Sequence, residues 1–104
     1  MEIRDEQARD TIETVVLSAA GRLDALSAPL LKRAARDHLL RGKADLVLDL
    51  SGVRTIDASG LAAVVSLSRS ARAAGGRLVP RGASPEIWRA FEVTGLESVF
   101  ADAA

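Results

Sequence analysis

One continuous stretch, residues 46–74, constrains the fold of this chain more than any other part of it. It begins with an alternating apolar run at residues 46–50, which is typical of a β-strand. After a short polar turn comes Asp57, a residue type that caps helices well, and then an apolar pattern at helical spacing. The stretch therefore predicts a strand, a turn and a helix whose first residues, 58–60, lie at the carboxyl edge of a sheet. That edge is where α/β folds place their sites.

The other elements are predicted from similar patterns. Residues 13–20 contain a short β-branched apolar run and indicate a strand. Two further helices are expected to begin with a serine cap and a nearby proline, at Ser27 and Ser84. Short strands are expected at residues 77–81 and 99–100. The result is one domain, residues 1–104, in which strands and helices alternate.

The charge balance excludes several classes of function. The 14 Lys and Arg residues equal the 14 Asp and Glu residues, so the formal net charge is zero. A protein that binds nucleic acid or an anionic membrane surface would need a basic excess. No apolar run approaches the ~20 residues of a membrane span, and the charged N-terminus does not resemble a signal peptide. The charge balance and the lack of a long apolar run predict no nucleic-acid partner and no direct membrane insertion. The sequence has no cysteine, so we expect no disulfide, and this absence fits a cytoplasmic protein.

The sequence offers little for catalysis. His38, the only histidine, lies on the first predicted helix, far from the carboxyl edge of the sheet. The glycine pair at residues 75–76 follows a helix, whereas phosphate-binding glycine loops follow a strand. A metal-binding cluster could be imagined from Asp24, Asp49 and Asp57, but roles as loop or helix-cap residues explain all three. We therefore expect no enzyme activity, no catalytic residue, no metal site and no cofactor.

Five sequence blocks, in one order and spacing, resemble the STAS domain, the family of sulfate transporters and anti-sigma-factor antagonists. The blocks are Gly21-Arg22-Leu23-Asp24, Leu46-Val47-Leu48-Asp49-Leu50-Ser51-Gly52-Val53, Ile56-Asp57-Ala58-Ser59-Gly60-Leu61, Ala74-Gly75-Gly76-Arg77-Leu78 and Phe91-Glu92-Val93-Thr94-Gly95-Leu96. Together they cover nearly the whole chain. The resemblance also implies an edge strand at residues 3–7, which the local sequence supports poorly.

The predicted fold is α/β: a STAS fold with a single, mainly parallel sheet of four to five strands in the order β-β-α-β-α-β-α-β. Successive βαβ crossovers are right-handed. If the chain always moves the same way across the sheet, every helix falls on one face. Val16, Val47 and Val79 are then expected on the opposite, poorly covered face.

The resemblance implies a non-enzymatic protein-interaction module, an anti-sigma-factor antagonist that acts by partner switching. Its implied partner is an anti-sigma factor, a GHKL-type serine kinase that holds the ATP. In phospho-regulated members, the residue after the capping Asp is the phosphorylated Ser or Thr. Here that position holds Ala58, and Ser59 follows it. One residue turns a helical side chain by ~100°, so we interpret Ser59 first as a small first-turn residue and second as a phosphoacceptor candidate.

The expected partner surface combines the helix start with small residues assigned to the outer face of the central helix. It comprises Asp24, Asp57, Ala58, Ser59, Gly60, Ala62, Ala63 and Ser66. A charged, solvated outer face would be the ordinary pattern, whereas small residues let another backbone come close. Asp24 is equally well explained as a turn residue. Trp88 lies off the buried face of the last helix and is expected at the rim of the core or partly exposed.

Several alternatives stay open at this point. The first is a STAS subunit of a larger assembly, such as a lipid-transport ABC complex, a stressosome-like complex or a chemotaxis-linked module. Ala58 favours such a role, because it needs no kinase switch. The second is a STAS domain that binds a small ligand or nucleotide in a polar pocket near Asp24 and Asp57. The oligomeric state is not determined by the sequence.

Overall fold

Four strands and three helices make up the described part of the chain. The computed structural model describes residues 2–7, 14–42 and 45–95. The strands are β1 (Glu2–Gln7), β2 (Thr14–Leu23), β3 (Asp45–Ile56) and β4 (Arg77–Arg81), and the helices are α1 (Ala28–Leu40), α2 (Ala58–Ala73) and α3 (Pro85–Val93). The predicted strand at residues 99–100 lies outside the described residues. None of the described helices has the length and apolar character needed to cross a membrane.

The four strands form one sheet in the order β1-β2-β3-β4. β1 runs antiparallel to β2, whereas β2, β3 and β4 are parallel to one another. The two parallel connections pass through α1 and α2, as βαβ units require. The predicted α/β fold with a mainly parallel sheet is thus confirmed, and so is the edge strand near the N-terminus.

All three helices pack on the same face of this sheet. β2 and the first half of β3 bury every second residue, and the buried set shares one core with residues from each helix. Leu17, Leu48, Leu31, Val64 and Phe91 are each 0% exposed within that core. Because a strand turns alternate side chains to opposite faces, this arrangement leaves the other face of the sheet without a described helix. The prediction of helices on one face is confirmed.

The open face carries a row of three valines. Val16 pairs with Val47, and Val47 pairs with Val79, so the three side chains lie side by side across β2, β3 and β4. Each is partly exposed. This is the placement predicted from the alternation along the strands, and the row makes the centre of this face apolar.

β2 and β3 are longer than predicted. The segment after residue 50 was expected to be a polar turn, but β3 continues through Ile56. Its pairing with β2 shifts register between Ser18 and Ala20 and again between Gly21 and Arg22. In this region, the two backbones approach closely, since a Cβ on Gly52 would lie 2.9 Å from the Cβ of Ala20. The predicted turn is therefore wrong; the residues form an irregular continuation of the strand.

Candidate functional site

Two acidic residues follow the ends of neighbouring strands at the carboxyl edge of the sheet. Leu23, the last residue of β2, pairs with Ile56, the last residue of β3. The residues that follow them, Asp24 and Asp57, are therefore neighbours although they are far apart in the sequence. This places the loop before α1 beside the start of α2, as expected for a site at this edge.

Asp57 is the N-cap of α2, as predicted. Its backbone is extended, with φ −114° and ψ −173°, and its side-chain Oδ1 accepts a hydrogen bond of 3.0 Å from the Gly60 N–H. The Asp57 N–H donates to the carbonyl oxygen of Leu23 at 3.2 Å. A cap of this kind satisfies one of the free N–H groups of the first turn and suits the helix dipole. The start of α2 is thus capped by the Asp57 side chain and held to the end of β2 by a backbone hydrogen bond.

Gly60 permits this close approach. It is buried, and a Cβ at this position would collide with the Leu23 carbonyl oxygen and lie 2.9 Å from Ile56 Cγ1. Gly60, which was predicted as part of the partner surface, is thus buried against the end of β2 rather than exposed. Its role is to let the first turn of α2 lie directly against the end of β2.

The loop before α1 is held by Ser27 and Asp24. Ser27 is the N-cap residue of α1, but its side chain makes no capping hydrogen bond to the helix, in contrast to the prediction. Its hydroxyl, in a residue that is 3% exposed, donates to the Arg22 carbonyl oxygen at 2.7 Å and accepts from the Asp24 N–H at 2.9 Å. Asp24 Oδ1 accepts from the N–H groups of Ser27 at 3.2 Å and Leu26 at 3.0 Å. The loop is consequently closed on itself by short polar contacts.

Hydrogen bonds also tune the acidity of Asp24. The backbone N–H of Ser27 has the largest effect and lowers the pKa of this carboxyl, while desolvation opposes it. The Leu26 N–H, the Ser27 hydroxyl and the Arg22 charge add smaller effects that also lower the pKa. Hydrogen bonds to the charged form favour that form. Asp24 therefore stays ionised beside the start of α2.

Two leucines next to this loop are exposed, and sequence reasoning missed them. Leu26 is 86% exposed and Leu30 is 48% exposed. Together with Arg22, Asp24 and Ser27 they line a shallow depression. The available signal was that Leu30 precedes the buried Leu31 and falls outside the predicted apolar face of α1.

The outer face of α2 forms one wall of an open groove, which we call the α2–α3 groove. It has a volume of about 570 Å³ and is lined by Ala58, Leu61, Ala62, Val65, Ser66, Arg69, Ser70 and Thr94. Thr94 ends α3, so the groove lies between the length of α2 and the end of α3. Two of its lining residues, Leu61 and Val65, are half-buried. Sequence reasoning missed Val65, although it sits one turn after Leu61 and beside the fully buried Val64.

The predicted site residues on α2 differ in where the structure places them. Ala58, Ala62 and Ser66 line the α2–α3 groove, and Ser59 is exposed but is not among the lining residues. Ala63 is 0% exposed, so its predicted place on the outer face is wrong. It faces the sheet because it lies one residue before the buried Val64 and one helical turn before Leu67.

Asp49 and Trp88 lie away from this edge. Asp49 forms an ion pair of 3.5 Å with Arg81, and the N–H and hydroxyl of Ser51, followed by Arg81, lower its pKa. Within residues 2–7, 14–42 and 45–95, no group of three or more His or acidic side chains could hold a metal ion. Trp88 is 37% exposed, and its ring centroid lies 5.9 Å from that of Phe91. It thus occupies the rim of the core, as predicted.

Comparisons with known proteins identify relatives of this chain. A family model described as Mlab, STAS domain, matches residues 6–101. The anti-sigma-B factor antagonist of Listeria monocytogenes is 34% identical over 91 residues, which cover 88% of this chain and 79% of that protein. The anti-sigma-B factor antagonist of Bacillus subtilis is 31% identical over 85 residues, which cover 82% of this chain and 77% of that protein.

Solved structures share the fold. An anti-sigma factor antagonist from Mycobacterium paratuberculosis superposes with a TM-score of 0.76 at 26% identity, covering 93% of this chain and 80% of that chain. The anti-sigma factor antagonist SpoIIAA in its unphosphorylated form superposes with a TM-score of 0.78 at 24% identity, covering 91% of this chain and 82% of that chain. The fold described above is thus a known one, and with the family match over residues 6–101 and the two relatives above 30% identity, the chain belongs to the STAS domain family of anti-sigma-factor antagonists.

Proposed function

We propose that this chain is an anti-sigma-factor antagonist, a non-enzymatic module that binds an anti-sigma factor and thereby releases a sigma factor. The observation that carries the proposal is the α2–α3 groove, an open and largely apolar surface that begins at Ala58, next to the Asp57 cap. The names of the Listeria and Bacillus relatives support the same role. The partner surface then comprises the groove, the ionised Asp24 and the exposed Leu26.

The groove suits a protein partner because three of its exposed lining residues are small. Ala58, Ala62 and Ser66 are exposed, and they have no long side chain that would hold a partner away. Leu61 and Val65 supply apolar area to the groove. Interfaces of this kind gain their affinity from a few central, well-packed contacts.

The partner we propose is a GHKL-type serine kinase that carries the ATP. In this scheme the chain contributes a binding surface and no reacting group. The resemblance of residues 56–61 to the family's switch segment supports the kinase, and the capped helix start is the feature that such a partner would bind.

The switch position is occupied by Ala58, and we propose that the usual phosphorylation switch is silent here. Ala58 lines the groove, so a phosphorylated residue at this position would bring a charge of about −1.5 to −2 to the mouth of the groove. Alanine has no hydroxyl to accept the phosphate. Ser59 is exposed but lies ~100° further round the helix and does not line the groove.

The binding surface is tested by Ala62→Arg, which places bulk and charge on the rim of the groove. Purified candidate anti-sigma factors from the source organism are titrated by calorimetry. We expect Ala62→Arg to weaken binding about 30-fold, or ~2 kcal/mol. The matched control is Ala73→Arg, the same change at an exposed residue of α2 outside the groove, and it should change the Kd less than about threefold. Equal affinity of a folded Ala62→Arg protein would place the interface elsewhere.

The silent switch is tested with the kinase partner, radiolabelled ATP and intact-mass spectrometry. Ala58→Ser should gain one phosphate and lose affinity for the kinase. The native chain should incorporate none, or incorporate slowly at Ser59 in a manner that Ser59→Ala abolishes. Rapid stoichiometric phosphorylation of the native chain at Ser59 would show that the switch is active one residue later.

A second candidate is a STAS subunit of a larger assembly such as a lipid-transport ABC complex. Ala58 favours it, since such a role does not need the phosphorylation switch. The matching family model is also described as Mlab rather than as an antagonist. Copurification of the native chain with an ABC ATPase, together with no measurable affinity for any anti-sigma factor, would decide for this candidate.

A further inference from the structure

We infer that the segment of the partner that occupies the α2–α3 groove is an amphipathic α-helix that places a carboxylate against Arg69. This inference deepens the proposed function and depends on it for the identity of the partner. The chemistry of the occupant follows from the length, openness and charge of the groove itself.

The length of the groove fits a helix. Its lining residues on α2 recur at helical spacing, from Ala58 through Leu61, Ala62 and Val65 to Arg69. At 1.5 Å per residue, this row extends roughly 17 Å, about three helical turns. A helix that binds in a groove inserts apolar residues at i, i+3 or i+4, and i+7, which repeat along the same length. The exposed alanines allow the two backbones to come close.

A small molecule fits less well. Drug-sized ligands are usually enclosed over about 70–90% of their surface in concave pockets. The α2–α3 groove is open along its length, with α2 as one wall and the end of α3, Thr94, as the other. Such a surface covers one side of its occupant and leaves the other side for the rest of a protein.

The charge of the groove defines the chemistry at one end. Arg69 is the one charged residue among those that line it, and it is exposed. In the part of the chain that the structure describes, no acidic side chain pairs with Arg69. A partner helix that covers the groove removes water from this guanidinium, and an unpaired buried charge is costly. A carboxylate on the partner restores the lost solvation by a charge-assisted, often bidentate hydrogen bond, with the Ser66 and Ser70 hydroxyls alongside.

Two synthetic helical peptides of about 18 residues test the inference against the full chain. Both peptides carry three leucines spaced one helical turn apart. They differ at a single residue, one turn after the last leucine, which is Glu in one peptide and Lys in the other. Binding is followed by chemical-shift changes of the backbone amides of the labelled protein. We expect the largest changes at Leu61, Val65 and Thr94, and at least about fivefold tighter binding of the Glu peptide.

Charge reversal supplies the control. Arg69→Glu should invert the preference, so that the Lys peptide binds more tightly. Arg33→Glu, the same change at an exposed residue of α1 outside the groove, should leave the preference for Glu unchanged. Equal affinities for the two peptides, an unchanged preference in Arg69→Glu, or no shifts in the groove at about 1 mM peptide would each overturn the inference.

The inferred carboxylate and the proposed antagonist role can be refuted independently of each other. If an anti-sigma factor binds the native chain and Arg69→Glu with equal affinity, the carboxylate is refuted while the antagonist role stands. If no anti-sigma factor binds but the peptides show the stated preference and its inversion, the groove chemistry is supported and the antagonist role fails.

Discussion

Replacing Gly60 with alanine tests how firmly the start of α2 is fixed to the sheet. In an ordinary helix, glycine to alanine is stabilising by about 1 kcal/mol. Here the new Cβ would collide with the carbonyl oxygen of Leu23 and lie 2.9 Å from Ile56 Cγ1. The carbonyl belongs to the backbone at the end of the β2–β3 ladder, so it cannot rotate away as a side chain would. We therefore expect the sign of the effect to reverse.

The size of the stability loss in Gly60→Ala follows from the groups that must move to relieve the collision. Relief of the collision requires the first turn of α2 to separate from β2, which lengthens the hydrogen bond between the Asp57 N–H and the Leu23 carbonyl, now 3.2 Å. Losing that bond costs about 1 kcal/mol, and forcing extra volume into a packed site costs about 1–3 kcal/mol. After the gain of about 1 kcal/mol in helix propensity is subtracted, the net loss of stability is about 1–3 kcal/mol.

Urea unfolding followed by circular dichroism measures this loss. For a small domain the free energy of unfolding falls by about 1–3 kcal/mol per molar urea, so the midpoint of Gly60→Ala should fall by roughly 1 M. Ser59→Ala is the matched control, because Ser59 is the exposed neighbour in the same turn, and its change should stay within about 0.5 kcal/mol. A Gly60→Ala protein as stable as the native chain, or more stable, would refute the close contact with Leu23.

Three further results are expected. Ser27→Ala should lower the free energy of unfolding by about 1–3 kcal/mol in urea titration, because it removes the buried hydroxyl and leaves its part-buried partners, including the Asp24 N–H, without that hydrogen bond. Acid should destabilise the protein, because folding lowers the pKa of the Asp49 carboxyl from its ordinary 3.8. The contribution of this carboxylate to the free energy of unfolding is present above about pH 4 and is lost as the pH falls through the lower pKa of the folded state. Urea midpoints measured from about pH 5 to pH 2 should consequently fall less steeply in Asp49→Asn, and an unchanged slope would contradict this. Circular dichroism should show Ala62→Arg folded and Ala63→Arg unfolded, because only Ala63 is buried; a folded Ala63→Arg protein would contradict the assigned orientation of α2.

Patterns that depend on local chemistry were predicted well from the sequence. The cap and proline at the start of α3 appear as expected, with the Ser84 hydroxyl accepting from the Ile87 N–H at 3.2 Å. The Asp57 cap and the strand at residues 77–81 were also predicted correctly. In each case, neighbouring residues supply the decisive interaction, so short windows of sequence contain the information.

The wrong predictions concern features that tertiary packing determines. Ala62 and Ala63 are the same residue type, and only the rotation of α2 on the sheet determines that one is exposed and the other buried. The polar residues after Leu50 resemble a turn, yet pairing with the long β2 keeps them in the strand. Ser27 stands at a helix start, but the carbonyl of Arg22 competes successfully for its hydroxyl. The α2–α3 groove itself depends on where the end of α3 comes to lie.

The backbone contact between Leu23 and the start of α2 also has a consequence for the order of events in folding. The carbonyl of Leu23 is in place only after β2 and β3 have paired in parallel across the α1 crossover. Parallel pairing between distant segments closes a long loop and is a slow step. We therefore expect the first turn of α2, and with it the Ala58 end of the α2–α3 groove, to be completed only after this pairing. A partner that binds at this edge would therefore bind the folded chain in preference to nascent or unfolded chains, in which β2 and β3 are not paired.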